Sequence, residues 1–362
     1  MTNNHGQYGQ HINIQCFQKD ILTWYAQFKR DLPWRKTSNP YHILISETML
    51  QQTQVSTVIP YFQRFVAQFP TPEVLANASE EVLLKAWEGL GYYSRARNLQ
   101  ASARMITKLG HFPTNYKDIL SLKGVGPYTA GAVASIAFSL PVPAVDGNVF
   151  RVIGRIACIY EDITKIKTRK LFEEVVAQLI SHAHPGEFNQ GLMELGATIC
   201  KPTSPKCPDC PVKKHCKAQE DKVVEQLPVK TKPAKQVHVK WAVALIENTQ
   251  GEFLIAKRPS TELLANFYVF KQIEYANEKA VATMLTEHLM CEGYQVQQIY
   301  ALGSFKHVFT HRIWSMAAFH VKVNAAPQAQ PNEQWVARDS LKDYSLAAAH
   351  LKILNVIDSA HL

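Results

Sequence analysis

The chain has 362 residues, 46% of them hydrophobic, which is enough for two or three domains with cores of their own. It carries 39 Lys and Arg against 30 Asp and Glu, a net charge of +9 that suits a polyanionic partner such as nucleic acid. No apolar run is long enough for a membrane span, and Met1-Thr2-Asn3-Asn4-His5-Gly6-Gln7 lacks the basic and apolar regions of a signal peptide. Four of the seven cysteines cluster, which points to a reducing compartment, expected to be the cytoplasm, and to a metal site rather than a disulfide framework.

In chain order, residues 1–12 are polar. Ile14, Phe17, Ile21, Leu22, Tyr25 and Phe28 recur at helical spacing and predict a first amphipathic helix. Helical patterns continue to about residue 216. They are broken at Leu32-Pro33, Asn39-Pro40, Pro70-Thr71-Pro72, Gly89-Leu90-Gly91 and Pro141-Val142-Pro143, and no strand signal is seen. Within this half, Leu122-Lys123-Gly124-Val125-Gly126-Pro127-Tyr128 reads as a glycine hairpin opening a helix over 128–138. Both Gly124 and Gly126 are expected to use positive φ, and Pro127 suits the first helical position. Free amides at such a turn suit a phosphate oxygen. A lone carboxylate, Asp146, follows in Ala144-Val145-Asp146-Gly147-Asn148.

Cys200, Cys207, Cys210 and Cys216 give the spacing C-x6-C-x2-C-x5-C, an all-thiolate set that suits either zinc or an iron–sulfur cluster. Nine lysines and four acidic residues between 201 and 235 would let this loop meet phosphates. Cys16, Cys158 and Cys291 stand alone and read as structural. Residues 217–236, charged and containing Pro228 and Pro233, read as a linker. Beyond it, 241–246 and 253–256 flank a turn at Asn248-Thr249-Gln250-Gly251 and predict a β-hairpin. A helix over 278–290, strands over 295–302, 305–309 and 313–323, and a last helix over 346–357 complete an α+β domain. The domains expected are thus 1–216, with the cysteine loop at 200–216, and 237–362.

The match Val-Gly-Pro-Tyr-Thr-Ala-Gly-Ala (125–132) with Val-Asp-Gly-Asn-Val (145–149) resembles the helix-hairpin-helix DNA glycosylases. Strand-cutting relatives often carry lysine at the position of Tyr128, and tyrosine there is similar to the adenine-specific MutY branch. The stretch Leu32-Pro33-Trp34-Arg35, followed by Ser-Glu-Thr-Met-Leu-Gln-Gln-Thr-Gln-Val (46–55), looks like that branch's active-site signature. The cysteine spacing resembles the four-iron four-sulfur loop of the same relatives. The resemblance implies an all-helical glycosylase domain with one 4Fe-4S cluster on Cys200, Cys207, Cys210 and Cys216, plus a Nudix-like α+β domain. It implies removal of adenine opposite 8-oxoguanine or guanine from double-stranded DNA, by a monomer without a membrane partner and essentially without strand scission.

Periodicity alone makes Glu47 a partly exposed structural residue, with Ile43, Leu44, Leu50 and Gln51 as its helical neighbours. The resemblance makes it the acid that protonates adenine, with apolar surroundings to raise its pKa. Asp146 then supplies the anion facing the sugar, either as nucleophile or as charge stabiliser, and Tyr128 and Asn148 order it. Gln52 and Tyr92 are expected to wedge into the duplex, Thr53 and Leu90 to meet the opposing base, and Arg35, Gly124 and Gly126 to bind DNA. Arg95 and Arg97 read as phosphate contacts or solvated helix charges. Phe309-Thr310-His311 stands where relatives carry a Phe-Ser-His loop that recognises 8-oxoguanine. No glutamate box of a Nudix hydrolase follows residue 271, so pyrophosphate cleavage is not expected.

Overall fold

The computed structural model describes residues 8–231, 236–276, 280–309 and 311–360, with residues 358–360 described by their backbone alone. They form two units, the first Met1–Ala78 with Ser94–Lys232 and the second Ser79–Tyr93 with Pro233–Leu362. Among the described residues no helix is long and apolar enough to cross a membrane.

The first unit is helical. Its helices are α1 (Ile14–Phe28), α2 (Pro40–Leu50), α3 (Val55–Gln68), α4 (Pro72–Asn77), α6 (Ser94–Leu109), α7 (Tyr116–Ser121), α8 (Pro127–Phe138), α9 (Gly147–Ile156), α10 (Ile166–Leu179), α11 (Pro185–Thr198) and α12 (Lys217–Glu220). Helix α1 forms where its spacing predicts: Asn13 caps it by accepting from Cys16 N (3.0 Å), and Phe17, Ile21 and Tyr25 are buried, whereas Ile14 and Phe28 at its two ends are exposed. Helices α2 and α8 differ in kind. Residues 43–49 of α2 and 129–135 of α8 are buried on every side, so these two helices form the centre of the unit, packed on each other. Proline opens both, at the position where a missing N–H costs nothing.

The stretch read as a linker is folded through Thr231. It contains α12 and a 3-10 turn at Val224–Gln226, and it buries Ala218 and Leu227. Of the hairpin glycines only Gly124 has a positive φ, +77°. Gly126 caps α8 at φ −99°, an ordinary extended value, because Pro127 already sets the turn into the helix. Cys16 and Cys291 are exposed rather than packed.

The second unit combines α5 (Glu80–Trp87), α13 (Val281–Cys291) and α14 (Ala348–Ala360) with a seven-stranded mixed sheet. The strands are β1 (Val237–Glu247), β2 (Glu252–Lys257), β3 (Tyr268–Val269), β4 (Lys271–Glu274), β5 (Gln295–Val308), β6 (Arg312–Ala325) and β7 (Glu333–Ala337). The order is β3-β2-β1-β6-β5, with β4 also on β1 and β7 on β2. The predicted hairpin is present, Glu247 opposite Phe253, and β1 and β6 run parallel. One sheet face packs under α14 and the other under α13, each with its own core. The two strands expected over 295–302 and 305–309 are one strand, β5, carrying a bulge between Ala301 and Gly303 where Gly303 takes φ +119°. The expected start of the helix over 278–290 falls partly outside the described residues.

Candidate active site

Glu47 sits on the central helix α2, only 5% exposed. The Tyr128 hydroxyl, one residue into α8 beyond Pro127, donates to its Oε2. Burial pushes the Glu47 carboxyl up, the Tyr128 hydrogen bond pulls it down, and the nearby Asp146 charge pushes it up again, leaving it at about 7. Burial together with the Glu47 and Asp146 charges holds the Tyr128 phenol well above its ordinary range, so it stays a neutral donor.

Asp146 is the N-cap of α9. Its Oδ1 accepts from Val149 N (2.8 Å) and its Oδ2 from Asn148 Nδ2 (2.7 Å). Burial raises its pKa, and these hydrogen bonds oppose the rise by favouring the anion. Asn148 is fixed in turn: its Oδ1 accepts from Arg151 Nη2 (2.8 Å), while Arg151 also donates to Gly196 O (2.8 Å) and Cys200 O (2.7 Å). A Cβ at Gly196 would lie 2.5 Å from Asn148 Cβ, so this close approach requires glycine.

Glu47, Tyr128, Asp146, Asn148, Arg35, Gln52 and Thr53 all line one cleft of about 890 Å³. That volume suits a nucleoside-sized guest. Arg35 is engaged inside it: its Nη2 meets Glu194 Oε2 at 2.8 Å, and Arg30 holds the same carboxylate through two further contacts of 2.8 Å. Burial pushes Glu194 up, but the hydrogen bonds from Arg30 and Arg35 outweigh it and hold the carboxyl at about 2. Gln52 is exposed at φ +56° just past the end of α2.

Arg95 is neither solvated nor at the surface. Its Nη1 donates to the carbonyls of Thr48 (2.9 Å), Met49 (2.9 Å) and Gln51 (2.6 Å), and its Nη2 to Thr53 Oγ1 (3.2 Å). It therefore closes the C-terminal turn of α2, whose last carbonyls lack helical partners. Two further residues escaped the sequence reading. Asn189 is fully buried and pins the chain leading to Asp146, accepting from Ala144 N (3.2 Å) and donating to Val142 O (2.9 Å) and Ser135 Oγ (2.9 Å). Gly131 of α8 lies against the same segment, where a Cβ would be 2.0 Å from Pro143 O.

In the second unit, Leu90 is buried, and Tyr92 is 46% exposed at φ +48° between Gly91 at +69° and the buried Tyr93. Phe309 follows directly on β5, its ring packed on Trp314 and His307 with centroids 4.9 and 4.6 Å away, and its N–H donating to Arg312 O (2.8 Å). His311 is exposed and its carbonyl accepts from Val237 N (3.0 Å). Thr310 lies outside the described residues.

The four clustered cysteines surround one cavity with Arg155, whose Nη1 lies 3.3 Å from Cys200 Sγ. Burial pushes the thiols of Cys210 and Cys216 up to about 12 and about 11, and raises Cys207 as well. Among the described residues no three His, Cys, Asp or Glu side chains converge tightly enough to hold a single metal ion. The donor set is soft and all four cysteines line the one cavity, which fits a sulfur-ligated centre whose positive charge would offset the cost of the buried thiolates.

Residues 45–178 match the HhH-GPD superfamily base excision DNA repair protein family, and residues 242–356 match the NUDIX domain. Adenine DNA glycosylase of Arabidopsis thaliana is 36% identical over 349 residues, covering 82% of this chain, which spans 55% of that relative's length. The adenine DNA glycosylase of Schizosaccharomyces pombe is 30% identical over 417 residues, covering 94% of this chain and 89% of its own. Among solved structures, a thermostable thymine-DNA glycosylase superposes with a TM-score of 0.52 at 33% identity, over 57% of this chain and 97% of its own. With the helix-hairpin-helix and NUDIX matches following one another along the chain, and a 30% identical relative covered over 89% of its length, the chain belongs to the adenine DNA glycosylase family.

Proposed function

We propose that this chain removes adenine mispaired with 8-oxoguanine or guanine in double-stranded DNA, as a monomer, leaving an abasic site. The observation that carries the reading is a carboxyl held at about 7 and an N-capping carboxylate lining the same cleft. Glu47 donates its proton to a ring nitrogen of the extruded adenine. The bond between the sugar and the purine breaks, its electrons leaving with the protonated base. The positive charge that develops on the sugar is stabilised by the Asp146 carboxylate, which Val149 N and Asn148 keep oriented. Water completes the hydrolysis and returns a proton to Glu47. Tyr128 offers a phenol where a lyase needs an amine, so no Schiff base forms there.

Base extrusion costs a few kcal/mol, least at a mispair. Gln52 and Tyr92 serve as the wedges that offset it, with Thr53 and Leu90 toward the opposing base and Phe309, Thr310 and His311 toward its oxidised edge. A Cβ at Gly126 would meet nothing in the protein, so the backbone there is open to a close approach by DNA, and Gly124 turns the hairpin that presents it. Cys200, Cys207, Cys210 and Cys216 would hold a four-iron four-sulfur cluster, which when bound staples a lysine-bearing loop that has little core of its own.

The test is release of free adenine from duplexes with defined opposing bases, run with and without alkali. Wild-type protein should release adenine opposite 8-oxoguanine and guanine, and the strand should break only after alkali. Glu47→Gln and Asp146→Asn should each slow release by about 10²-fold or more. Release at the wild-type rate by both variants sinks the mechanism.

A further inference from the structure

We propose that residues 227–231 form a strap whose Lys230, together with Arg169 of α10, binds backbone phosphates of the DNA strand that delivers its nucleotide to the cleft; this rests on the functional reading above. Four cations line the cleft: Arg30, Arg35, Arg169 and Lys230. The first two are committed to Glu194. Arg169 and Lys230 are exposed; Lys167 and Lys170 flank Arg169, and the acidic residue nearest to it in sequence is Glu173, one helical turn along α10. Arg169 and Lys230 therefore stand at the mouth of the cleft. A sugar held at Asp146 keeps its phosphates at that mouth, because the phosphodiester chain must run back to the duplex.

The strap is held at both ends. Leu227 is buried, and its carbonyl accepts from Arg155 Nε (2.9 Å). Further along, Ile163 N donates to Val229 O (3.1 Å). Thr231 donates to Asp162 through its hydroxyl and through its backbone N–H (3.3 Å), and Thr164 donates to the same carboxylate through its N–H (2.9 Å) and hydroxyl (2.8 Å). Asp162 accordingly has its lone pairs taken up by the strap and by its own loop. Its role is to fix Lys230, not to neutralise it.

The test measures binding of the full chain to duplexes carrying a non-cleavable adenine analogue, as a function of salt. Lys230→Ala and Arg169→Ala should each weaken binding to all duplexes alike and lower the slope of log affinity against log salt by about one. Lys230→Arg should keep the slope. Asp162→Ala removes a negative charge, so simple electrostatics expects tighter binding; the strap expects weaker binding, matched by Thr231→Val and not compounded in Asp162→Ala/Lys230→Ala. A wild-type slope in either cation variant overturns the phosphate contact, and tighter binding by Asp162→Ala overturns the strap. These slopes are read without catalysis. A wild-type protein that binds as described but releases no adenine would sink the functional reading while leaving the strap standing.

Discussion

A carboxyl near neutrality serves as an acid only while it keeps its proton. Glu47, at about 7, should give adenine release that is level at lower pH and falls about tenfold per pH unit above 7, measured as single-turnover rate from about pH 5 to 9. A flat profile in that range would remove Glu47 from the chemistry. Stability carries the same signature with a defined sign. The folded pKa lies above the ordinary 4.5, so the contribution is fully present below about 4.5 and is lost as pH rises toward 7. Glu47→Gln does not ionise, and it should therefore gain on the wild type across that window, by up to roughly 3 kcal/mol, in denaturant melts at pH 5 and 8. Glu47, Tyr128, Asp146 and Asn148 were legible in the sequence because the chemistry demands those side chains in fixed motifs. Asn189 and Arg95 were not. Each acts on backbone more than forty residues away, and a local pattern carries no trace of the partner.

Helix α8 shows how an element can be shaped by what passes over it. The helix itself was legible from the hairpin and proline that open it, but the need for Gly131 lies in Pro143, whose carbonyl would stand 2.0 Å from an added Cβ. Gly131→Ala should force α8 and the segment before Asp146 apart. The expected result is a loss of about 1–3 kcal/mol in thermal or denaturant melts and a drop in single-turnover release exceeding what the melt alone explains, since Asp146 moves with that segment. Gly110→Ala is the comparison: a Cβ there meets nothing, although its φ of +75° carries a strain cost, so it should lower stability without slowing release. Equal effects on release would refute the packing argument. The strands were less legible than the helices. β3 and β4 are short, and β7 pairs only at the sheet margin through β2, so none carries the long alternation that marks a strand. β5 was read as two strands because the sequence breaks at Gly303, and nothing local distinguishes a bulge from a turn.

At the scale of the molecule, the second unit is not a continuous stretch of chain. The NUDIX match covers 242–356, yet α5 and the loop after it pack with that domain. Tyr93 lies against the fully buried Phe267 with ring centroids 4.0 Å apart, Glu80 accepts from Asn266 Nδ2 (3.0 Å), and Glu81 meets Lys257 Nζ (3.2 Å). The exposed pair contributes little in water, and the aromatic contact contributes most. Tyr92, the proposed wedge, adjoins Tyr93, so the second unit grips the residue next to it. Phe267→Ala should then loosen the loop and lower base extrusion, read as the fluorescence rise of 2-aminopurine in the adenine's place. Phe253→Ala opens a comparable cavity under the sheet, in a core that does not include Tyr93. Both variants should lose about 3–5 kcal/mol of stability in the second unit. Only Phe267→Ala should lose the fluorescence rise at a temperature where both remain folded. If the two variants extrude the base equally well, the grip on Tyr93 has no part in setting the wedge.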